Sequence, residues 1–424
     1  MATSRPIVSR RTEQACREVG QTDVARPVAW LLVVLVGVAV AGPSLTQTVL
    51  DLAAGKGPFP ALAPLTRTEP GLGGFLDDPF AVNRAFLHAI ETSEDRLEDE
   101  SWLRARLLPP TQRFFTEGLG LGNEQAVAGK DGWWYLADDL GHVVGRGFLA
   151  PEVLLRRERD GGVTPDPVPA ITALAGELRG RGIELLVVPV PAKPTVVPRP
   201  LSRRDTRAPV RNPSFETFLD RLAAAGVPVY EPTADLLAVE SAGKPSFLRT
   251  DTHWTPAGLD GVAVGIASRL EALGVTGRPG DYYRRPARVA GRGDLTAMLA
   301  LPSASPVLAP ETVEVEIVRT VAGETWRPAP SAEVLLLGDS FSNVYSEPAL
   351  GWGTGAGLGE QISFHLGAPV DRIALNAGGA LEVRAELSRV AKADPRRLAG
   401  KRVVVYQFAA RELSIGDWRL LAGL

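Results

Sequence analysis

The chain has almost no cysteine. Cys16 is the only one among 424 residues, so no intramolecular disulfide can form and no thiolate metal site can be built. Histidine is nearly as scarce, with four residues, His88, His142, His253 and His365. No spacing gathers them into a cluster with further ligands, so no metal site is expected. Neither sign of charge dominates: 46 basic against 49 acidic residues leave a formal charge of -3. That balance lacks the basic footprint of a nucleic-acid-binding protein. Internal repeats, heptad arrays and long low-complexity tracts are missing too, which excludes solenoids and coiled coils. The Gly-x-Ser-x-Gly elbow of the α/β-hydrolases is also absent.

What the chain does have is one long apolar run. Pro27 to Leu45 carries no charge and is dominated by Val, Leu and Ala, close to the roughly 20 residues a helix needs to cross a bilayer. Ahead of it, Arg5, Arg10, Arg11, Arg17 and Arg26 outnumber Glu13, Glu18 and Asp23. An excess of arginine holds such a tail in the cytoplasm. The expected organisation is therefore a cytoplasmic tail over 1–26, a membrane anchor over 27–45, a Pro- and Gly-rich linker over 46–82 and a catalytic domain over 83–424. A cleaved signal peptide ending near Ala39-Val40-Ala41 is the competing reading, and a buried core helix a third. The first two put the bulk of the chain outside the cytoplasm, where a domain without disulfides must be held by its core.

Beyond the linker, a helical stretch is expected from Asn83 to Leu108. Lys130-Asp131-Gly132 then reads as a tight turn entering an aromatic strand, Trp133-Trp134-Tyr135-Leu136. Apolar residues at helical spacing (Ile171, Leu174, Ala175, Leu178) precede the run Ile183 to Val190. Phe215, Phe218, Leu219 and Leu222 repeat the pattern before Val227 to Tyr230. Thr255-Pro256 is an N-cap followed by proline in the first turn. The apolar runs Val334 to Leu337 and Val403 to Tyr406 complete the set. Helices alternating with continuous apolar strands predict an α/β fold, a mostly parallel sheet covered on both faces.

The chemistry concentrates in two segments. Asp251-Thr252-His253-Trp254 offers a carboxylate and an imidazole two residues apart, which an extended backbone would point to one side. Gly338-Asp339-Ser340-Phe341-Ser342 follows the strand Val334–Leu337, at the carboxyl end where such sheets bind ligands. Acid, base and hydroxyl are what acyl transfer through a covalent intermediate requires. The expected roles are Ser340 as nucleophile, His253 as base and Asp251 as the carboxylate that fixes its tautomer, in an enzyme working on esters. Gly-Asp-Ser is equally good chemistry for a helix start, and Asp251 with His253 could instead be a metal-ligand pair or a cap.

These motifs, in this order, resemble the alginate O-acetyltransferases of the AlgX/AlgJ type within the SGNH-hydrolase-like group. The resemblance extends to Gly129-Lys130-Asp131-Gly132-Trp133-Trp134-Tyr135, to Pro191-Ala192-Lys193 through Pro198, and to Arg411 through Trp418, covering about residue 83 to the end. It implies an SGNH-hydrolase-like fold and the Ser340–His253–Asp251 triad, with acid and base before the serine. It implies an exopolysaccharide or envelope glycan as acetyl acceptor and a multi-spanning membrane acyltransferase as donor. The catalytic domain would then face the periplasm from the inner membrane, or be secreted there after signal cleavage. No acetyl-CoA site is visible, and no cofactor is expected. Asn376, Tyr345 and Arg411 are candidates for oxyanion or sugar contacts, with a turn asparagine the equal alternative for Asn376; Trp352 is a candidate for stacking on sugar rings, as is Trp254, for which core packing is the favoured reading. An acetyl esterase using the same triad and a non-catalytic glycan-binding subunit are the alternatives, and no separate carbohydrate-binding module is evident.

Overall fold

The computed structural model describes residues 25–56, 86–87, 89–90, 92–96, 99–201, 209–421 and 423. The leading tail with Cys16, linker residues 57–82 and His88 lie outside them. The described chain divides into two units, Met1–Pro109 and Pro110–Leu424.

In the first unit, Arg26–Ala53 forms one helix of 28 residues with mean hydropathy 2.3 in its most apolar window, long and apolar enough to cross a membrane. Its large apolar side chains, from Val28 to Leu52, are exposed. The helix runs past Leu45, so residues 46–53, expected in the linker, are helical. Pro43 lies inside it without ending it, and Thr46 and Thr48 donate their hydroxyl protons to the Gly42 and Ser44 carbonyls one turn earlier. A further helix, Trp102–Arg113, crosses the division at Pro109, and a π turn, Phe114–Gly118, follows it in the second unit.

The first strands of the second unit form a short hairpin, β1 (Ala126–Ala128) and β2 (Trp134–Leu136). The turn between them needs left-handed backbone, at Asp131 (φ 57°) and Gly132 (φ 77°), residue types that tolerate it. The central sheet is built from β3 (Glu184–Val190), β6 (Val334–Gly338), β7 (Val370–Ala374) and β8 (Val403–Ala409). Its spatial order is β3-β8-β6-β7, and every neighbouring pair is parallel. Between β3 and β6 in sequence lies an antiparallel ribbon, β4 (Tyr282–Gly291) with β5 (Glu311–Thr320). Pro286 in mid-strand, three arginines in β4 and four glutamate or arginine residues in β5 mask it in the sequence.

The continuous apolar runs are explained by burial on both faces. Leu186, Val188, Leu336 and Val405 point into one core with Val262, Ile266 and Leu270 of the helix Pro256–Ala272. Leu185, Val187, Leu335, Leu337 and Tyr406 alternate into the other, against Ile171, Leu178, Phe218 and Leu387. Thr255 caps its helix as expected, accepting the Gly258 N–H at 3.1 Å. Val227 to Tyr230 extends the sheet by only one bridge, Val187 to Val229.

Candidate active site

Ser340 stands at the carboxyl end of β6, where the chain leaves the sheet and turns into the short helix Ser340–Asn343. Asp339 caps that helix, taking the Phe341 N–H at 2.9 Å on Oδ1. Its other contacts tie the corner to β8: Gln407 Nε2 donates to Oδ1 at 2.7 Å and the Ala409 N–H to Oδ2 at 2.9 Å. Gln407 Oε1 in turn accepts the Asp339 N–H at 3.2 Å and the Ser342 hydroxyl at 2.6 Å. Buried polar groups matched this completely rigidify the corner they join. Gly338 leaves room for this network, since a Cβ there would lie 2.2 Å from Ser342 Oγ and 2.8 Å from Gln407 Oε1 and would force both to shift. Ser340 itself is half-buried.

His253 arrives on a strap folded against this corner. Leu248 N–H donates to His253 O at 3.0 Å and Thr255 N–H to Ser246 O at 2.9 Å, with Phe247 bridging Trp254. His253 Nε2 lies 2.8 Å from Ser340 Oγ, and its Nδ1 lies 2.6 Å from Asp251 Oδ1. The two segments, 87 residues apart, therefore meet as one hydrogen-bonded chain from carboxylate to imidazole to hydroxyl. Its local geometry differs from the expected extended one. Asp251 and His253 share a tight bend in which Asp251 Oδ1 also accepts the His253 backbone N–H at 2.9 Å; a short acidic side chain readily makes this turn.

Asp251 is only 2% exposed, and a buried carboxylate needs partners. Its Oδ2 accepts the Trp352 indole N–H at 2.8 Å and the Asp294 backbone N–H at 3.1 Å. Burial alone would raise the Asp251 pKa, but the His253 interaction and these donors hold it below the ordinary carboxylate value. Burial likewise opposes the imidazolium, yet Asp251, then Asp294 and Asp339, outweigh it and hold the His253 pKa above the ordinary value. Asp251, His253 and Asp294 offer ligand atoms within 4.8 Å of one another. With Nδ1 on one Asp251 oxygen and two N–H groups on the other, the set is arranged as a hydrogen-bonded relay.

Behind the strap lies a buried cation that the sequence reading left without a role. Lys193 Nζ donates to the carbonyls of Trp134 at 2.6 Å, Arg249 at 3.1 Å and Asp251 at 3.0 Å. It also sits 5.1 Å from the Trp133 ring centroid and 5.2 Å from that of Tyr135. The aromatic turn and the Pro-x-Lys stretch thus converge on the strap that holds Asp251.

The remaining candidates divide. Arg411 is at the site's flank, its guanidinium 6.0 Å from the Phe341 ring centroid and paired with Asp139 at 3.1 Å. Phe341 in turn packs on His253, ring centroids 4.8 Å apart. Asn376 follows β7 and is exposed. Its Oδ1 accepts from Asn343 Nδ2 at 2.9 Å, one turn from Ser340, and among the described residues its own amide N–H groups have no partner. Tyr345 is corrected: it is fully buried and its hydroxyl donates to the Trp254 carbonyl at 2.8 Å, so it supports the strap from below and offers nothing to a sugar. Trp352 is corrected likewise, being fully buried on Asp251, and Trp254 is core. Among the backbone donors beside the serine, the N–H groups of Phe341 and Ser342 are already held by Asp339.

The model of a family described as SGNH hydrolase-like domain, acetyltransferase AlgX, matches residues 126–410. The chain belongs to that family. Within it, the chain is similar to a protein named probable alginate O-acetylase AlgJ from Pseudomonas aeruginosa, 25% identical over 238 residues, 55% of each chain. The AlgJ of Azotobacter vinelandii is 28% identical over 174 residues, 39% of this chain and 44% of the relative. The chain thus spans about half the length of these curated relatives. Among solved structures, the O-acetyltransferase domain of Pseudomonas putida AlgJ superposes with a TM-score of 0.52 at 22% identity. That match covers 69% of this chain and 93% of that one, and it establishes the shared SGNH-hydrolase-like fold.

Proposed function

We propose that this protein is an O-acetyltransferase that moves an acetyl group through an ester on Ser340 onto a hydroxyl of an exopolysaccharide or envelope glycan. The observation that carries the reading is the unbroken contact of Asp251, His253 and Ser340, at 2.6 Å and 2.8 Å, on a corner that leaves the serine accessible. Membership of an acetyltransferase family supports acetyl as the group moved. The glycan and the acetyl direction of transfer follow from the alginate O-acetylases that the chain is similar to.

In the first half-reaction His253 Nε2 takes the Ser340 proton as Oγ bonds to the acetyl carbonyl carbon. The tetrahedral intermediate collapses, the donor's leaving group departs, and the imidazolium returns its proton to that group. In the second half, His253 removes a proton from a sugar hydroxyl, whose oxygen attacks the acetyl-serine. Ser340 then leaves and recovers a proton from the imidazolium. Asp251 keeps the proton of the neutral imidazole on Nδ1, so that Nε2 is the basic nitrogen. With the Phe341 and Ser342 amides already engaged, the Ser340 N–H and the Asn376 side-chain amide are the donors assigned to the oxyanion.

The N-terminal helix serves as the anchor, residues 1–26 remain cytoplasmic, and the domain from 83 onward works on the periplasmic face of the inner membrane. A multi-spanning membrane acyltransferase supplies the acetyl group there. In the test, the purified domain receives an activated acetyl ester together with oligosaccharide acceptors. The expected product is an acetylated sugar, lost in Ser340→Ala. Free acetate alone, with acceptors unmodified, would instead identify an esterase, and full turnover by Ser340→Ala would remove the nucleophile.

A further inference from the structure

The relay contains a second carboxylate that the Asp251–His253–Ser340 assignment leaves unused. Asp294 Oδ2 lies 3.8 Å from His253 Nδ1, the same ring nitrogen that contacts Asp251. Asp294 also grips the strap from both sides. Its Oδ1 accepts the Thr252 N–H at 2.7 Å, and its own N–H donates to Asp251 Oδ2 at 3.1 Å. The chain reaches this place only through a close backbone approach: a Cβ on Gly293 would lie 1.9 Å from the Thr250 carbonyl oxygen. The Asp294 side chain is 34% exposed, against 3% for Asp251, so it stands on the solvent side of the pair.

We propose that Asp294 is a positioning residue of this site, a second carboxylate beside Nδ1 that supports the positive charge His253 carries after taking a proton. The proposal rests on the reading of His253 as the base. Each half-reaction passes through an imidazolium buried at 5% exposure. A lone buried ion pair balances that charge against one carboxylate already shared among four N–H donors. A second anion within about 4–6 Å stabilises the charged ring further. Burial and the adjacent Asp251 charge push the Asp294 carboxyl above its ordinary range, as expected for two acids flanking one nitrogen.

Other charged groups face the ring from the surrounding elements and stay constant in the test. Asp339 lies at the serine corner and Arg411 lies beyond Phe341. Lys193 is on the Asp251 carbonyl, and Glu311 accepts the Arg249 and Thr250 N–H groups. Tyr345 lies beneath Trp254.

The experiment is the pH profile of kcat/KM on an activated acetyl ester for wild type, Asp294→Asn and Asp294→Glu. Asparagine keeps an oxygen for the Thr252 N–H and removes the charge. The expected result is an acid limb displaced to lower pH, on the order of one unit, with kcat reduced several-fold and KM unchanged. Asp294→Glu, which keeps the charge, should retain the wild-type limb. Should the asparagine variant not fold, Asp294→Ser is the second neutral variant. An unmoved limb in the neutral variant, or the same displacement in the glutamate variant, overturns the inference. Ser340→Ala in the same assay separates the two claims: if it is inactive while the limb is unmoved, only the role of Asp294 falls.

Discussion

The indole N–H of Trp352 donates to Asp251 Oδ2 at 2.8 Å across 101 residues of chain. This bond fixes the rotation of the carboxylate, so that Oδ1 is left facing the imidazole. Trp352→Phe keeps an aromatic ring, though a smaller one, and removes the donor. A hydrogen bond to a charged group contributes about 1.5–3 kcal/mol, so the variant should lose stability of that order and fall in kcat/KM by tenfold or more. Denaturant unfolding and steady-state kinetics check this together; stability and rate within error of wild type would show that Asp251 needs no such partner.

The Asp251–His253 pair also sets a pH dependence. The base must be neutral to accept a proton, and its pKa in the folded protein is raised, Asp251 outweighing burial. The acid limb of kcat/KM, which reports the free enzyme, should therefore have its midpoint above the ordinary imidazole value of about 6.5. The same shift has a stability sign. Folding favours the protonated ring, so this contribution is present in full below about pH 6.5 and is lost as pH rises through the folded-state pKa. An acid limb below the ordinary value would contradict it.

At the serine corner, Gly338→Ala forces a methyl group to within 2.2 Å of Ser342 Oγ. Overpacking of this kind costs about 1–3 kcal/mol, and here the displaced atoms carry the network under Ser340. The expected outcome is a lower melting temperature together with a large loss of turnover. Retained activity in a folded Gly338→Ala would mean that the Gln407–Asp339–Ser342 contacts do not position the nucleophile.

Lys193 gives a prediction of opposite sign. Burial pulls its ammonium down to about 7, against the Asp251, Asp294, Glu311 and Asp139 charges. Between that value and the unfolded value of about 10.4, the unfolded chain holds a proton that the folded chain has released. Stability from this group therefore rises with pH across that window and is lowest below it. Lys193→Met removes the dependence and leaves the Trp134, Arg249 and Asp251 carbonyls without their shared donor, at about 1–3 kcal/mol for each one left unsatisfied. Unfolding curves at neutral and alkaline pH for both proteins test the sign.

How far the sequence carries is clear from particular residues. The strands Glu184–Val190, Val334–Gly338 and Val403–Ala409 were legible because burial on both faces writes itself as unbroken apolar runs. That Ser340, His253 and Asp251 could meet is legible because each sits beside a structural signal, an apolar strand end or a helix start, and the structure brings the three into contact. Asp294 was not: it is one of 49 acidic residues, and only the backbone approach at Gly293 brings it to His253. Trp352 and Tyr345 were misread, because an amphipathic aromatic reads alike whether its polar end meets a sugar or a buried carboxylate. Lys193 lies in the stretch that resembles the family's, but its three carbonyl partners come from segments 56 to 59 residues away, a closure that no local pattern encodes. The ribbon β4–β5 was missed because its proline and charges are those of an exposed edge.

The central claim is that Ser340 carries the acetyl group between donor and acceptor. Mass spectrometry of protein quenched during turnover of an activated acetyl ester, with acceptor withheld, tests it most directly. The account predicts one added acetyl group on the peptide containing Ser340, chased off by a glycan acceptor and absent in Ser340→Ala. Steady turnover with Ser340 unmodified at every time point, in a protein whose Ser340→Ala variant is equally active, would contradict it.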